Sequence, residues 1–556
     1  MPDNGWNREV NIGTCKLRVS WILSVSLALV LFLMAMGSSQ LFIGGVSHAA
    51  DAYALDDNGS IVLTTSIPRG SKVSDARAKY NRQGKMMRLV KYQGKEYFVD
   101  MDMLTTDRNS IVKEKKVYVR TPVTVYENED GPEIASYMAK GSEMKVLSYD
   151  ALQDDGYVHK YRVKYTDSTG ETGKGYVYGK YMAGTPEEAA ENYNANGEYD
   201  RAKKAKYDFN LYGGKATHLD YFPYEKTEIK GKKLCEEART MYINTWAAVN
   251  PEAYIKLINK TDCNAVVIDI KDGSMTYKSD ICKEVSKHSY KDGYTSMEKF
   301  RKGVDAYKKA GLYTIGRIVV FNDSRYAKDH PEHCIKSPGY KPWPSAYSRE
   351  VWEYNIKIAQ EAVREFGFDE IQFDYVRFPE SSYTMSQNKK TNFRNKYGED
   401  KCQAIQNFCY YAADQLREVG AYISVDVFGE CSSGYVTAYG QYWPAISNIV
   451  DAISSMPYTD HFGRNADTWS KPGNTVYKWA KGAAREQKHI SNPAVARTWI
   501  TGYDTPYWNV RCKYGNKQMK AQANALKKAG LTGGFIPWNV ASSLDKYYEY
   551  SKVWNK

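Results

Sequence analysis

The chain contains no C-x-x-C, no H-E-x-x-H and no G-x-G-x-x-G. The first absence argues against a zinc ribbon, the second against a zincin-type helix, and the third against a dinucleotide phosphate turn. Blocks of five or six like charges are also missing. The net charge of +12 is spread thinly, in pairs such as Lys115-Lys116, Lys203-Lys204 and Lys527-Lys528. With no basic block and no recognisable nucleic-acid module, nucleic acid is not an expected partner. The segment Asp329-His330-Pro331-Glu332-His333-Cys334 crowds ligand-type residues, but Pro331 spoils a regular helical ligand pair. The expectation is therefore no metal and no cofactor.

Long apolar runs are scarce too, and only one is found. Lys16 and Arg18 precede an apolar stretch from Trp21 to Val46, and small residues follow at Ser47-His48-Ala49-Ala50. That order is the pattern of a secretory signal. The same run is long enough to span a bilayer if uncleaved. Either way Arg8, Lys16 and Arg18 stay in the cytoplasm and the remainder lies outside. The expectation is a secreted or cell-surface protein, touching the membrane only through this segment. Of nine cysteines, only Cys15 precedes the run. The eight that follow permit disulfides without fixing their partners. Cys402 and Cys409 lie two helical turns apart, too far to bridge each other.

What the sequence has in abundance is aromatic residues, 14% of the chain with 48 Tyr. Flat rings stack on sugars, and they equally fill half-buried positions. Residues 1–50 read as the export segment and 51–112 as a small β-hairpin region, with Gly94 turning between Arg88–Tyr92 and Glu96–Val99. Residues 113–184 hold short alternating strands with Gly and Asp turns, the pattern of a small all-β barrel. This stretch resembles a bacterial SH3-like domain, which implies contact with the cell wall. Residues 185–236 are polar and Tyr/Lys-rich and read as a linker.

From 237 to 556 the pattern becomes α/β. Four amphipathic helices end at Gly311, Gly367, Gly420 and Gly530, and each runs straight into a strand. Glycine takes positive φ cheaply just past a helix end. One helix shows the right period at Trp352, Ile356, Ala359, Val363 and Phe366. Eight strands are expected, near 241–246, 265–270, 314–321, 371–376, 422–428, 452–456, 498–501 and 534–537. Eight strands alternating with helices fit a (β/α)8 TIM barrel, with a doubly wound sheet as the rival.

Active sites in such barrels lie at the C-terminal strand ends. Asp374 interrupts an apolar strand, where a carboxylate is expensive unless paired or functional. Its partner in a purely structural role would be Arg377. Asp426 and Glu430 end the adjacent strand, about 4.8 Å away. Glycoside cleavage needs two carboxyl groups, one to protonate the leaving oxygen and one to act as nucleophile or base. The candidate catalytic residues are thus Asp374, Glu430 and Asp426. Candidate substrate contacts are Trp246, Asp269, Lys271, Arg317, Arg377, Tyr458, His461, Asp504, Trp538 and Asn539. Trp499, within its strand, reads as core.

The run Gly367-Phe368-Asp369-Glu370-Ile371-Gln372-Phe373-Asp374-Tyr375-Val376-Arg377-Phe378-Pro379 resembles the signature of a glycoside hydrolase-like family long catalogued as a domain of unknown function. Val267–Asp272, Arg317–Phe321, Val425–Gly429 and Gly533–Asn539 support the resemblance, which spans nearly all of 238–545. It implies a TIM barrel related to α-amylase-like and exopolysaccharide-cleaving hydrolases. A carboxylate at the fourth strand end, here Asp374, is then catalytic, and the fifth-strand acid matches Glu430. Two departures bear on substrate contacts. Asn322-Asp323 stands where a Lys is expected before the Asp, and Tyr458-Thr459-Asp460-His461 replaces a Pro-Ser pair.

The expected activity is cleavage of a cell-surface or extracellular polysaccharide. Its rivals are a non-catalytic wall-binding protein and a metal-dependent deacetylase. A cleft plugged by residues 322–348 would favour the binding protein.

Overall fold

The computed structural model describes residues 43–46, 50–55, 60–67, 71–82, 84–106, 114–149, 158–191, 212–463, 465–505 and 511–555. Most of the expected export segment, residues 1–42 and 47–49, lies outside these. Among the described residues no helix is long and apolar enough to cross a membrane. The chain divides into two compact units. The first comprises 1–120, 141–166 and 172–189, and the second 121–140, 167–171 and 190–556.

The first unit is built of strands. Its N-terminal part is a seven-stranded sheet with the expected hairpin, Lys85–Tyr92 and Lys95–Asp100, inside it. The hairpin turns on Gln93 (φ 48°) and Gly94 (φ 78°), two positive φ values in succession. Such a turn matches the twist of the flanking strands. The sheet exceeds a hairpin because its core is assembled from small residues on separate strands, Ala50, Ala52, Ile67, Val73, Val90 and Val99. Farther on, Glu143–Tyr149, Lys160–Thr166 and Thr172–Tyr178 pair antiparallel in sequence.

The second unit is a closed barrel of eight parallel strands: β1 (Ala238–Ile243), β2 (Ala265–Asp272), β3 (Tyr313–Val319), β4 (Glu370–Asp374), β5 (Tyr422–Phe428), β6 (Ala452–Met456), β7 (Val495–Thr501) and β8 (Gly534–Trp538). Strand β8 returns to β1, with Ala238 opposite Gly534. All eight expected strands are present, and the doubly wound alternative is excluded by closure. The four helix-ending glycines all have positive φ, between 66° and 86°. The first strand ends earlier than expected, because Asn244 accepts a hydrogen bond from the Ala247 amide and caps a short helix, α1 (Thr245–Ala248). Trp246 therefore belongs to a helix.

Helices cover the outside of the barrel. In α3 (Arg349–Phe366), following α2 (Ser324–Asp329), the periodic residues Trp352, Ile356, Ala359, Val363 and Phe366 are all buried. Phe408 of α4 (Lys401–Glu418) packs against Phe373 of β4, Phe321 and Trp352, with ring centroids 5.4–5.7 Å apart. Burying rings of this size contributes about 3–5 kcal/mol each, judged by truncation.

The expected linker is structured over 212–236. Leu219 and Tyr221 are buried with Cys402, Val436 and Tyr442. The Tyr224 hydroxyl donates to Asp414, and the Lys226 ammonium donates to the carbonyls of Ser447 and Asn492. Polar composition concealed a strap anchored by a few buried side chains, Ala216, Leu219, Tyr221 and Tyr224. The eight cysteines among the described residues are free thiols, six of them buried.

Candidate active site

At the C-terminal end of the barrel lies a cleft of about 480 Å³. Arg317 of β3, Asp374 of β4 and Glu430, in the turn after β5, line it together. Tyr375, Phe428, Tyr439, Tyr458, Trp499, Tyr503 and Trp538 give it aromatic walls. No lining residue comes from 322–348, so the insert after β3 does not plug the cleft.

Asp374 is the last residue of β4, and its partner is Arg317. The guanidinium donates to Oδ2 from both Nε (3.2 Å) and Nη2 (2.7 Å), while Nη1 reaches Asp269 at 2.8 Å. The other oxygen, Oδ1, accepts the Tyr375 amide at 2.6 Å. Tyr375 has φ 54°, in the left-handed region that non-glycine residues seldom enter. That kink ends the strand and swings the Tyr375 ring to within 4.8 Å of Arg377. Burial alone would depress the Arg317 pKa, but Asp269, Asp374 and Asp272 outweigh it and hold the group well above its usual value. Burial pushes the Asp269 carboxyl up to about 6, against the pull of Arg317.

The expected Asp374–Arg377 pair does not form. Arg377 donates to the Phe378 carbonyl and to Glu380 instead. Its guanidinium lies 4.4 Å from the Phe428 ring and 5.6 Å from Trp343. A residue three positions past the strand end has left the strand's line, whereas Arg317 stands on the neighbouring strand.

The two candidate acids separate by burial. Asp426 is fully buried beneath the cleft and accepts from Trp499 Nε1 at 2.8 Å. Its Oδ2 has no hydrogen-bond partner among the described residues. Burial, reinforced by the Asp374 charge, drives its pKa well above the ordinary carboxylate value, so it favours the neutral form. Glu430 faces the cleft and accepts a hydrogen bond from the Tyr439 hydroxyl. Of the two, only Glu430 lines the cleft.

Seven sequence-predicted residues meet in the cleft: Asp374, Glu430, Arg317, Arg377, Tyr458, His461 and Trp538. His461 pairs with Asp460, a hydrogen bond that raises the imidazole pKa. Six predicted residues do not line it. Asp269 is buried, bonded to Arg317 and the Tyr242 hydroxyl. Lys271 faces α3, with its ammonium on Asp323 (2.8 Å) and Asn355 (2.7 Å). A register shift between Asp269 and Lys271 breaks the alternation that would have put both on one face. The same Lys271–Asp323 pair ties β2 to the segment after β3, just past Asn322, the residue that departs from the family pattern. Asp504 binds Lys546, and Asn539 bonds Ser543. Trp246 is half exposed on α1. Reasoning from sequence missed Tyr375, Phe428, Tyr439 and Tyr503 and assigned Trp499 to the core alone. Tyr375 and Phe428 sit beside the candidate carboxylates in sequence and were findable. Tyr439 arrives on a loop with no local signal.

A closed (β/α)8 barrel with the carboxylates of Asp374, Glu380 and Glu430 on an aromatic cleft defines a class, the TIM-barrel proteins built like glycoside hydrolases. A family model described as "Putative glycosyl hydrolase domain" matches residues 240–544, more than half of the chain, and the chain belongs to that family. No curated protein matches it. Among solved structures, a hypothetical protein from Ruminiclostridium thermocellum ATCC 27405 is 32% identical, with a TM-score of 0.29. That match covers 34% of this chain and 97% of the other. The PgaB (BpsB) glycoside hydrolase domain from Bordetella bronchiseptica is similar at 13% identity and a TM-score of 0.42, covering 57% and 99% respectively. The Bacillus cereus spore cortex-lytic enzyme SleL is similar at 12% identity and a TM-score of 0.36, covering 57% and 75%.

Proposed function

We propose that the protein is an exported glycoside hydrolase that cleaves a cell-surface or extracellular polysaccharide. In this reading Asp374 is the nucleophile or base and Glu430 the general acid. One observation carries it: both carboxyl groups line a single aromatic cleft at the catalytic end of the barrel. Arg317 fixes the orientation of Asp374, and the Tyr439 hydroxyl fixes that of Glu430. The rings of Tyr458 and Trp538, which line the cleft, suit stacking against sugar C–H groups. The basic and apolar N-terminal sequence supports export, and the SH3-like stretch within 113–184 supports contact with wall polymer.

The test is turnover on wall and capsule polysaccharides, scored by released reducing ends. The wild-type chain is expected to release them from at least one polymer. Glu430→Gln should lose rate most on substrates with poor leaving groups, because those need protonation. Release of no reducing ends from any polymer would leave the cleft as a binding surface.

A further inference from the structure

The insert between β3 and α3 carries a cluster that the cleft chemistry does not use. Helix α2 ends at His330, and Pro331–His333 form a single 3-10 turn. In such a turn residues i and i+3 stand one above the other. The His330 and His333 rings accordingly stack, 7° from parallel with centroids 5.2 Å apart. Pro331, which argues against a ligand pair on an α-helix, here starts the turn that aligns the pair.

Three ligand-type atoms converge. Glu332 Oε1 lies 3.1 Å from His330 Nδ1 and 3.8 Å from His333 Nε2. All three atoms fall within 4.8 Å of one another. A tetrahedral ion with ligands at about 2.0–2.1 Å needs edges of roughly 3.3 Å, and because an imidazole binds a metal in its own ring plane, one of the two near-parallel rings must rotate to meet it. The outer nitrogens are engaged. His330 Nε2 lies 2.7 Å from the Val285 carbonyl, which only accepts, so Nε2 carries the proton. Nδ1 is then the ring nitrogen turned towards Glu332. His333 Nδ1 meets the Tyr326 hydroxyl at 2.8 Å, leaving Nε2 towards Glu332. Outer hydrogen bonds of this kind orient imidazole ligands in metal sites.

The cluster is reachable. Glu332 and His333 border a cavity of about 550 Å³ that also receives Glu350 and Arg394. Two carboxylates there stand with two guanidiniums and one ammonium; Arg349 is held by Glu399, Lys396 by Glu171, and Arg394 Nε is directed to the Cys334 carbonyl. None of the three ligand residues lines the catalytic cleft.

We propose that His330, Glu332 and His333 bind one divalent transition-metal ion of the zinc class, with a fourth position open to the cavity. The set of two imidazoles and one carboxylate suits zinc, nickel or cobalt over magnesium or calcium. The ion pins the corner from which the chain runs into Cys334–Ile335. That pair of residues forms a ribbon with Trp343–Pro344. The ribbon places the Trp343 ring against Arg377, at the edge of the cleft. The role is thus to hold the insert, independently of the carboxylate chemistry proposed for Asp374 and Glu430.

The test uses the full chain, stripped with a chelator and dialysed. Zinc uptake is measured by competition with a chromophoric chelator, and cobalt uptake by its visible tetrahedral band. One equivalent of each is expected. Glu332→Gln, a change at an exposed side chain, should weaken zinc at least tenfold, and His330→Ala/His333→Ala should abolish the cobalt band. His489→Ala, elsewhere on the barrel, should leave both readings unchanged. Circular dichroism checks that each variant is folded. If the double variant does not fold, Glu332→Gln alone decides. No uptake by the wild-type chain, or uptake unchanged in Glu332→Gln, would overturn the proposal.

Discussion

The two ends of the barrel each bury an arginine against a carboxylate. At the N-terminal end Arg497 Nη1 lies 2.6 Å from Glu370, and neither side chain has any solvent exposure. The Tyr313 hydroxyl donates to Glu370, and Arg497 Nη2 donates to the Cys235 carbonyl. At the C-terminal end Arg317 holds Asp374 and Asp269, and a cleft opens directly above. The chemistry is the same, but the access differs. A closed pair fastens strands together, whereas the open pair also presents a fixed carboxylate to a ligand. Ion pairing alone is therefore no evidence of function in this barrel, and strand-end position with solvent access is.

The sharpest way to break the comparison is to neutralise one carboxylate at each end. Asp374→Asn should cut turnover by about 10²–10⁴-fold, the usual loss of an acid–base or covalent role. Its melting temperature should move little, because Arg317 keeps Asp269 as a partner. Glu370→Gln should do the reverse. It leaves Arg497 buried without its counter-charge, which costs about 3–5 kcal/mol of stability. The folded fraction should keep its turnover. Turnover and melting measured on the same samples separate the two outcomes. A stable, fully active Asp374→Asn would sink the catalytic reading.

A smaller effect sharpens the contrast within the C-terminal end itself. Asp426 has its pKa raised by burial and by Asp374. For a carboxyl whose folded pKa exceeds the unfolded value of about 3.9, protonation favours the fold. That stability is fully present below pH 4 and is lost as pH rises towards the folded pKa. Asp426→Asn removes this titration, so its melting temperature should decline less between pH 4 and pH 7 than that of the wild type. A decline equal to the wild type's would show that Asp426 does not titrate in this way.

The barrel was legible in the sequence because its signals are local. Helix periodicity, a glycine past each of four helices and an apolar strand all lie within a few residues of one another. Asp374 was legible for the same reason, as a charge inside an apolar run. What was not legible depends on register between strands distant in sequence. Arg317 finds Asp374 across the β3–β4 pairing, where Val319 stands opposite Asp374. Lys271 turns outward through an irregularity that no residue type announces. Burial of Asp426 and exposure of Glu430 depend on how far each lies past the barrel's mouth, which alternation does not measure. Tyr439 reaches Glu430 from a loop.

The free thiols have a practical consequence. Burial alone pushes Cys409 far up, and burial also raises Cys263 to about 12 and Cys282 to about 11. The thiolate is the form that alkylates and oxidises, so these side chains are chemically quiet while the chain stays folded. Alkylating reagents would then report unfolding, because each buried thiol is labelled only when its part of the barrel opens.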